Sequence, residues 1–247
     1  MDQSTLIRLE DALPLEAAPR MDLYGPVHKG LRTLMFDTLG RVGRCDTDDA
    51  RDLAEAIDSA RTLLWICASH LSHENVFVHE AMEARRPGAS RRTGEDHVEH
   101  ERSIAALRAA VDALETTAPA LRSVAMYRLY LRLARFVAEN LEHMEVEETH
   151  NTWLLRDAYD DAELGALHDR LLASIDPAEM QVFQRWILAG ISHPERVGML
   201  SAMRASAPAP VFEATVAQCR DILAPRDWAK LARALELPAV AGLVEVW

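Results

Sequence analysis

Along almost the whole chain, apolar positions recur at alternating steps of four and three residues, the period of one helical face, and stretches that alternate every second residue as a half-buried strand would are missing. The pattern predicts a first helix from about Asp22 to Val42 with the seam Tyr24, His28, Leu31, Met35, Thr38. A second runs from a cap at Asp46 or Thr47 to the Arg85-Arg86-Pro87-Gly88 stop, with Leu63, Cys67, His70, Glu74 and Phe77 on its seam. After a loop over 87–94, Thr93 and Asp96 form a candidate capping pair for a third helix, Glu95 to about Leu114. Its seam is His97, His100, Ile104, Leu107, Val111, Leu114. A fourth helix, about Ala120 to Leu155, aligns Leu129, Leu133, Phe136, Asn140, His143 and Glu147. Four helices of this length with short connections predict an all-α fold, an up-down-up-down four-helix bundle over residues 21–157.

Residues 1–20, with Pro14 and Pro19, read as an extended lead-in. Beyond Asp160 prolines recur, and the pattern breaks into shorter helices near 161–173, 177–190, 194–205, 210–223 and 225–235. Asp176-Pro177 and Ala224-Pro225 place proline in a first turn, where its missing N–H costs nothing, and Ser192 with Glu195 forms a capping box. Phe183, Trp186, Ile187, Phe212, Trp228 and Leu231 supply apolar faces, so residues 161–247 are expected to be a packed helical appendage, an accessory or dimerisation element.

Each of the four long seams is interrupted by histidine or glutamate. A carboxylate or imidazole facing a bundle axis costs several kcal/mol unless it is partnered, so such groups must satisfy one another or bind something. His70 and Glu74, and His143 and Glu147, are each four apart, one turn along a single face. The spacing alone is weak evidence, since His79/Glu83 and His97/Glu101 share it in a chain rich in glutamate. Seam position separates them. Glu74 and Glu147 fall on the core stripe, whereas Glu83 is near a helix end and Glu101 lies beside its stripe. With His28 and with His97, His100 or both, the seams offer imidazoles and two carboxylates suited to a pair of borderline metal ions, iron above all.

In order and type, His28, His70-xxx-Glu74, His97 or His100, and His143-xxx-Glu147-Glu148 resemble the hemerythrin-like (HHE cation-binding) domain over about residues 21–157. The resemblance implies a non-haem di-iron centre with terminal histidines and with Glu74 and Glu147 as bridges. It also implies a role in binding or sensing O2, nitric oxide, peroxide or iron, more a ligand-binding protein than a catalyst. Two features depart from the oxygen carriers of that family: His97 and His100 are three rather than four apart, and a glutamate, Glu147, stands where those carriers have a bridging aspartate. Residues 1–20 have no cysteine, unlike the N-terminal domain of the family's iron-repair members. Alternatives from other classes are a di-iron oxidase, oxygenase or peroxidase, and a metal-free helical interaction module. Zinc and manganese also suit the ligand set.

Composition narrows this further. The net charge of −12 and the lack of any run of basic residues longer than two disfavour a nucleic-acid partner. Three scattered cysteines form no disulfide framework or CxxC site and suit a reducing, cytoplasmic setting. No apolar run is long enough for a membrane span, and the N-terminus lacks the pattern of a signal peptide. Of the ten histidines, His73 reads as flanking the site, His79 and His150 as surface or interface groups, and His168 and His193 as parts of the appendage. Tyr24, one turn before His28, reads as core, with a hydrogen bond to a bound oxygen species as its functional alternative.

Overall fold

The computed structural model describes residues 20–237; the lead-in call for residues 1–19 and the last residues of the appendage, 238–247, lie outside them. Among the described residues every regular element is helical. Helix α1 is Gly25–Gly43. Helix α2 covers 50–85 as Ala50–His73, a π-helical stretch Glu74–His79, and Glu80–Arg85. Helix α3 is Arg91–Thr116. Helix α4 covers 119–158 as Pro119–Val146, a second π-helical stretch Glu147–Asn151, and Thr152–Ala158. The shorter helices are α5 (Asp161–Ser174), α6 (Pro177–Gly190), α7 (His193–Ser206), α8 (Ala209–Ile222) and α9 (Pro225–Ala234).

Two expected caps are replaced. Asp49, not Asp46 or Thr47, caps α2, its carboxylate accepting from the N–H groups of Arg51 and Asp52. Asp46 instead accepts from Asp48 N–H inside the preceding turn. At α3 the Thr93/Asp96 pair does not cap, because the helix starts at Arg91 and both side chains are drawn towards histidines. The turn before it is held by Glu83, whose carboxylate accepts from the N–H groups of Gly88 and Ser90 and from the Ser90 hydroxyl. Gly88 sits at φ +84°, a backbone conformation that glycine adopts without strain.

Helix α1 packs on α2 and α4, and α3 packs on the same two, so the four long helices share one core. Leu34, Met35, Leu63, Leu64, Val111 and Leu133 are almost fully buried in it. Each contributes roughly 1.5–3 kcal/mol relative to exposure. The most extensive helix pairing in the molecule is α1 with α6, from the C-terminal region. Phe183 belongs to the main core, with Val182, Trp186 and Ile187 packed against it. Close approach is possible because glycine stands on both helices. A Cβ on Gly30 would come within 2.8 Å of the Ile187 nitrogen, and one on Gly190 within 2.4 Å of the Lys29 carbonyl oxygen. Lys29 also reaches Glu195 at 2.5 Å. Helices α6 to α9 enclose a second core of Leu188, Leu200, Cys219, Trp228 and Leu231. A third cluster joins Tyr24, Val78, Met82, Leu155 and Leu164. The three cysteines are unpaired thiols, and among the described residues no helix is long and apolar enough to cross a membrane.

Candidate metal centre

The seam residues converge near the start of α1, the end of the first part of α2, the start of α3 and the late part of α4. His28 Nε2 lies 3.7 Å from Glu74 Oε1 and 3.5 Å from Glu147 Oε2. His70 Nε2 is 3.2 Å from Glu74 Oε1, and His143 Nε2 is 3.2 Å from Glu147 Oε2. His97 Nε2 stands 3.5 Å from Glu74 Oε2, 3.7 Å from Glu147 Oε1 and 3.1 Å from His143 Nε2. Two overlapping sets result, His28/His70/Glu74/Glu147 and Glu74/His97/His143/Glu147, within each of which the donor atoms lie no more than 4.8 Å apart. Both carboxylates belong to both sets. Glu74 turns one oxygen to His28 and His70 and the other to His97, the disposition a bridging carboxylate needs.

Of the seven residues expected from the sequence, six meet here. His100 is buried but stands outside both sets, its ring 4.9 Å from that of His143 and edge-on to it. His73 points away and pairs with Glu179 of α6 at 3.1 Å. His79, expected at a surface or interface, is buried beside the site: its ring stacks on His97 at 4.7 Å and its Nε2 lies 3.0 Å from the Thr93 hydroxyl oxygen. Tyr24 is buried with its ring 5.2 Å from His28 and its hydroxyl accepting from Asn151 at 3.5 Å.

Outside these donors is a set of acceptors. His28 Nδ1–H donates to Glu148 (3.1 Å), His97 Nδ1–H to Asn75 (2.7 Å) and His143 Nδ1–H to Asp96 (3.4 Å). Arg32 donates to both Glu148 oxygens at 2.5 and 2.8 Å. Holding Nδ1 in this way fixes the tautomer that presents Nε2 to the carboxylates, the arrangement found behind metal-ligating histidines. Each acceptor adjoins a site residue in sequence: Asn75 follows Glu74, Asp96 precedes His97, and Glu148 follows Glu147. That adjacency is the signal by which the sequence could have flagged Asn75 and Asp96.

The electrostatics express the crowding. Burial and the neighbouring Glu147 push the Glu74 carboxyl up, but His70 and His28 outweigh them and hold it below the usual range. Burial also opposes ionisation of Glu147, and the contacts with His143 and His97 pull it well below. Burial disfavours charge on His28 and His143, yet Glu148 and Glu74 raise the first to about 9, and Asp96 and Glu147 the second to about 10. His70 is lowered to about 4, chiefly by burial. His100 also falls to about 4, by burial and then by His143.

Whether these residues suit a metal can be judged from their unmet valences. The Nε2 of His28 and of His70 and all four oxygens of Glu74 and Glu147 are buried with no hydrogen-bond partner, although they lie close together. Buried carboxylates in that state are rare and costly. Two ligands held about 2.1 Å from one ion at angles of 90–120° stand roughly 3.0–3.6 Å apart. The observed approaches of 3.1–3.7 Å lie within or just above that range. Each set could therefore hold a cation. No protein-family model, curated protein or solved structure matches this chain.

Proposed function

We propose that the chain is a hemerythrin-like protein that holds two metal ions, iron in preference, between its four long helices. His28 and His70 would bind one ion and His97 and His143 the other, with Glu74 and Glu147 shared by both. The carrying observation is that both carboxylates belong to both donor sets while their four buried oxygens lack any hydrogen bond. Sites near the beginnings of α1 and α3 and late in α2 and α4 also support an alternating, up-down-up-down course of the four helices.

When bound, such an iron pair supplies open coordination positions for O2, nitric oxide or peroxide and electrons to exchange with them. The chain's own residues prepare that chemistry. Glu148, Asn75 and Asp96 hold three imidazoles in the binding tautomer, and the oxygens of both shared carboxylates are buried. Tyr24, beside His28, remains protonated because burial and then the two glutamates raise its phenol well above its ordinary value. It can therefore donate a hydrogen bond.

Elemental analysis of protein from iron-replete cells, joined to its visible spectrum in air and after anaerobic reduction, tests the reading. Close to two irons per chain and the charge-transfer absorption of an oxidised iron pair are expected. Glu74→Ala and Glu147→Ala should each lose a shared ligand and lower iron content and melting temperature together. Iron at background, with a melting temperature that chelator leaves unchanged, overturns it in favour of a metal-free helical module.

A further inference from the structure

A cavity of about 510 Å³ separates the metal-site end of the four-helix core from the C-terminal helices. Its size lies within the range of small-molecule sites. On the core side His70, Glu74 and Val78 line it, with Tyr24 and Val27 of the first helix region. The opposite wall is apolar: Leu171 and Ile175 at the end of α5, Phe183 and Ile187 of α6, and Met199 and Met203 of α7. Methionines at such a wall adapt to ligands of different outline. The lining includes the carboxylates of Asp22, Glu74 and Glu195 but no lysine or arginine. The imidazoles of His70, His73 and His168 also line it, so an anion would enter against the carboxylates and meet no permanent cation.

We infer that this cavity binds a neutral, largely apolar organic molecule with one uncharged hydrogen-bonding end, which lies at His70 and Glu74. The apolar part is recognised by burial against the methionine and aromatic wall, and the polar end by the polar side of the lining, where His70 and Glu74 stand. Charge selects between a chain ending in a hydroxyl and one ending in a carboxylate. Binding of the apolar part does not depend on metal; only the placing of the polar end beside a metal ion rests on the two-metal reading. On that reading the bound molecule meets the His28/His70 ion first, so the cavity would serve as a substrate or effector site facing one half of the centre.

Calorimetric titration of the full chain, metal-free and zinc-loaded, with 1-hexanol, 1-octanol and 1-decanol tests this, with decanoate added for the metal-free protein. One site per chain is expected, with Kd falling roughly fourfold for each added methylene. Decanoate should bind metal-free protein at least tenfold more weakly than decanol. Met199→Trp fills the wall and should weaken decanol at least tenfold; Val211→Trp, at the exposed edge of the cavity, serves if the first variant does not fold by circular dichroism. Val124→Trp, on an exposed face away from the cavity, should bind as the parent does. With manganese-loaded protein the hydroxyl-end protons of decanol should broaden more than the methyl end.

Absence of saturable binding, equal affinity in the folded wall variant, or decanoate binding as tightly as decanol overturns the assignment. Decanol bound to a protein whose iron is at background would leave the cavity standing and remove the metal reading. Two metals per chain without decanol binding would do the reverse.

Discussion

A buried imidazole is a useful ligand only if its other nitrogen is told which way to face. His28, His97 and His143 each give Nδ1–H to an acceptor, Glu148, Asn75 and Asp96, and so keep Nε2 towards the shared carboxylates. Asn75→Ala and Asp96→Ala are each expected to weaken metal binding by 10–100-fold, measured by competition with a chromophoric chelator, while helix content is retained. The neighbouring histidines divide by position. His97→Ala should lose the second ion, and His100→Ala should retain two ions per chain, because His100 lies beside His143 and outside both donor sets. Elemental analysis decides between them. From the sequence both histidines were equal candidates, since residues three apart share a helical face. Only the rotation of α3 about its axis selects His97.

At the scale of elements, the two π-helical stretches start at the two shared glutamates, Glu74 and Glu147. A π-turn inserts one residue into a helix and commonly marks a functional position. It also shifts the seam downstream. Strict four-three spacing leads from Glu74 to Phe77, but the structure leaves Phe77 half-buried and turns Val78, His79 and Met82 inward. After Glu147 it is Asn151 and Thr152 that turn inward in the same manner. Removing one residue, Val76, which is exposed, would restore an α-turn while leaving Val78 and His79 on the inner face. That deletion is expected to fold with unchanged far-UV circular dichroism yet retain less than half of the metal.

The pairing of α1 with α6 is equally sensitive. Gly190→Ala would bring a methyl against the Lys29 carbonyl, and overpacking of this kind costs about 1–3 kcal/mol in urea unfolding. Gly165→Ala, in α5 where a Cβ meets nothing within 4 Å, should instead stabilise by up to about 1 kcal/mol.

For the whole molecule, the proposed two-metal centre would couple metal to folding, because each bound ion would tie several helices together through the buried glutamates. With metal at a thousandfold excess over Kd, linkage supplies about 4 kcal/mol. For a chain of this size chelation should then lower the melting temperature by roughly 8–16 °C, read by calorimetry. On the acid limb, Glu148 and Glu195 add to the effect of the depressed Glu74 and Glu147. Burial opposes ionisation of Glu148 and Glu195, but His28 and Arg32 hold the first at about 2, and Lys29 and Ser192 the second at about 2. A folded pKa below the unfolded one contributes stability that is complete above the ordinary carboxylate value near 4.5 and is lost as pH falls through about 2. Metal-free protein should therefore lose stability between about pH 4.5 and 2. Glu148→Gln together with Glu195→Gln should make that limb shallower in urea titrations, leaving the share of Glu74 and Glu147.

The period of apolar residues alone determined that the chain is helical, where each helix lies to within a few residues, and that His28, Glu74, His143 and Glu147 sit on inner faces. These are local properties, because an α-helix repeats every 3.6 residues whatever surrounds it. Its neighbours decided the rest. The burial of His79, the choice of His97 and the acceptors at Asn75 and Asp96 depend on how helices rotate against one another and on two π-turns that the regular period cannot encode. The seating of α6 on α1 and the cavity it helps enclose depend on contacts between residues more than 140 positions apart, such as Gly30 with Ile187. No local pattern carries such contacts. They exist only once the chain has brought both surfaces together.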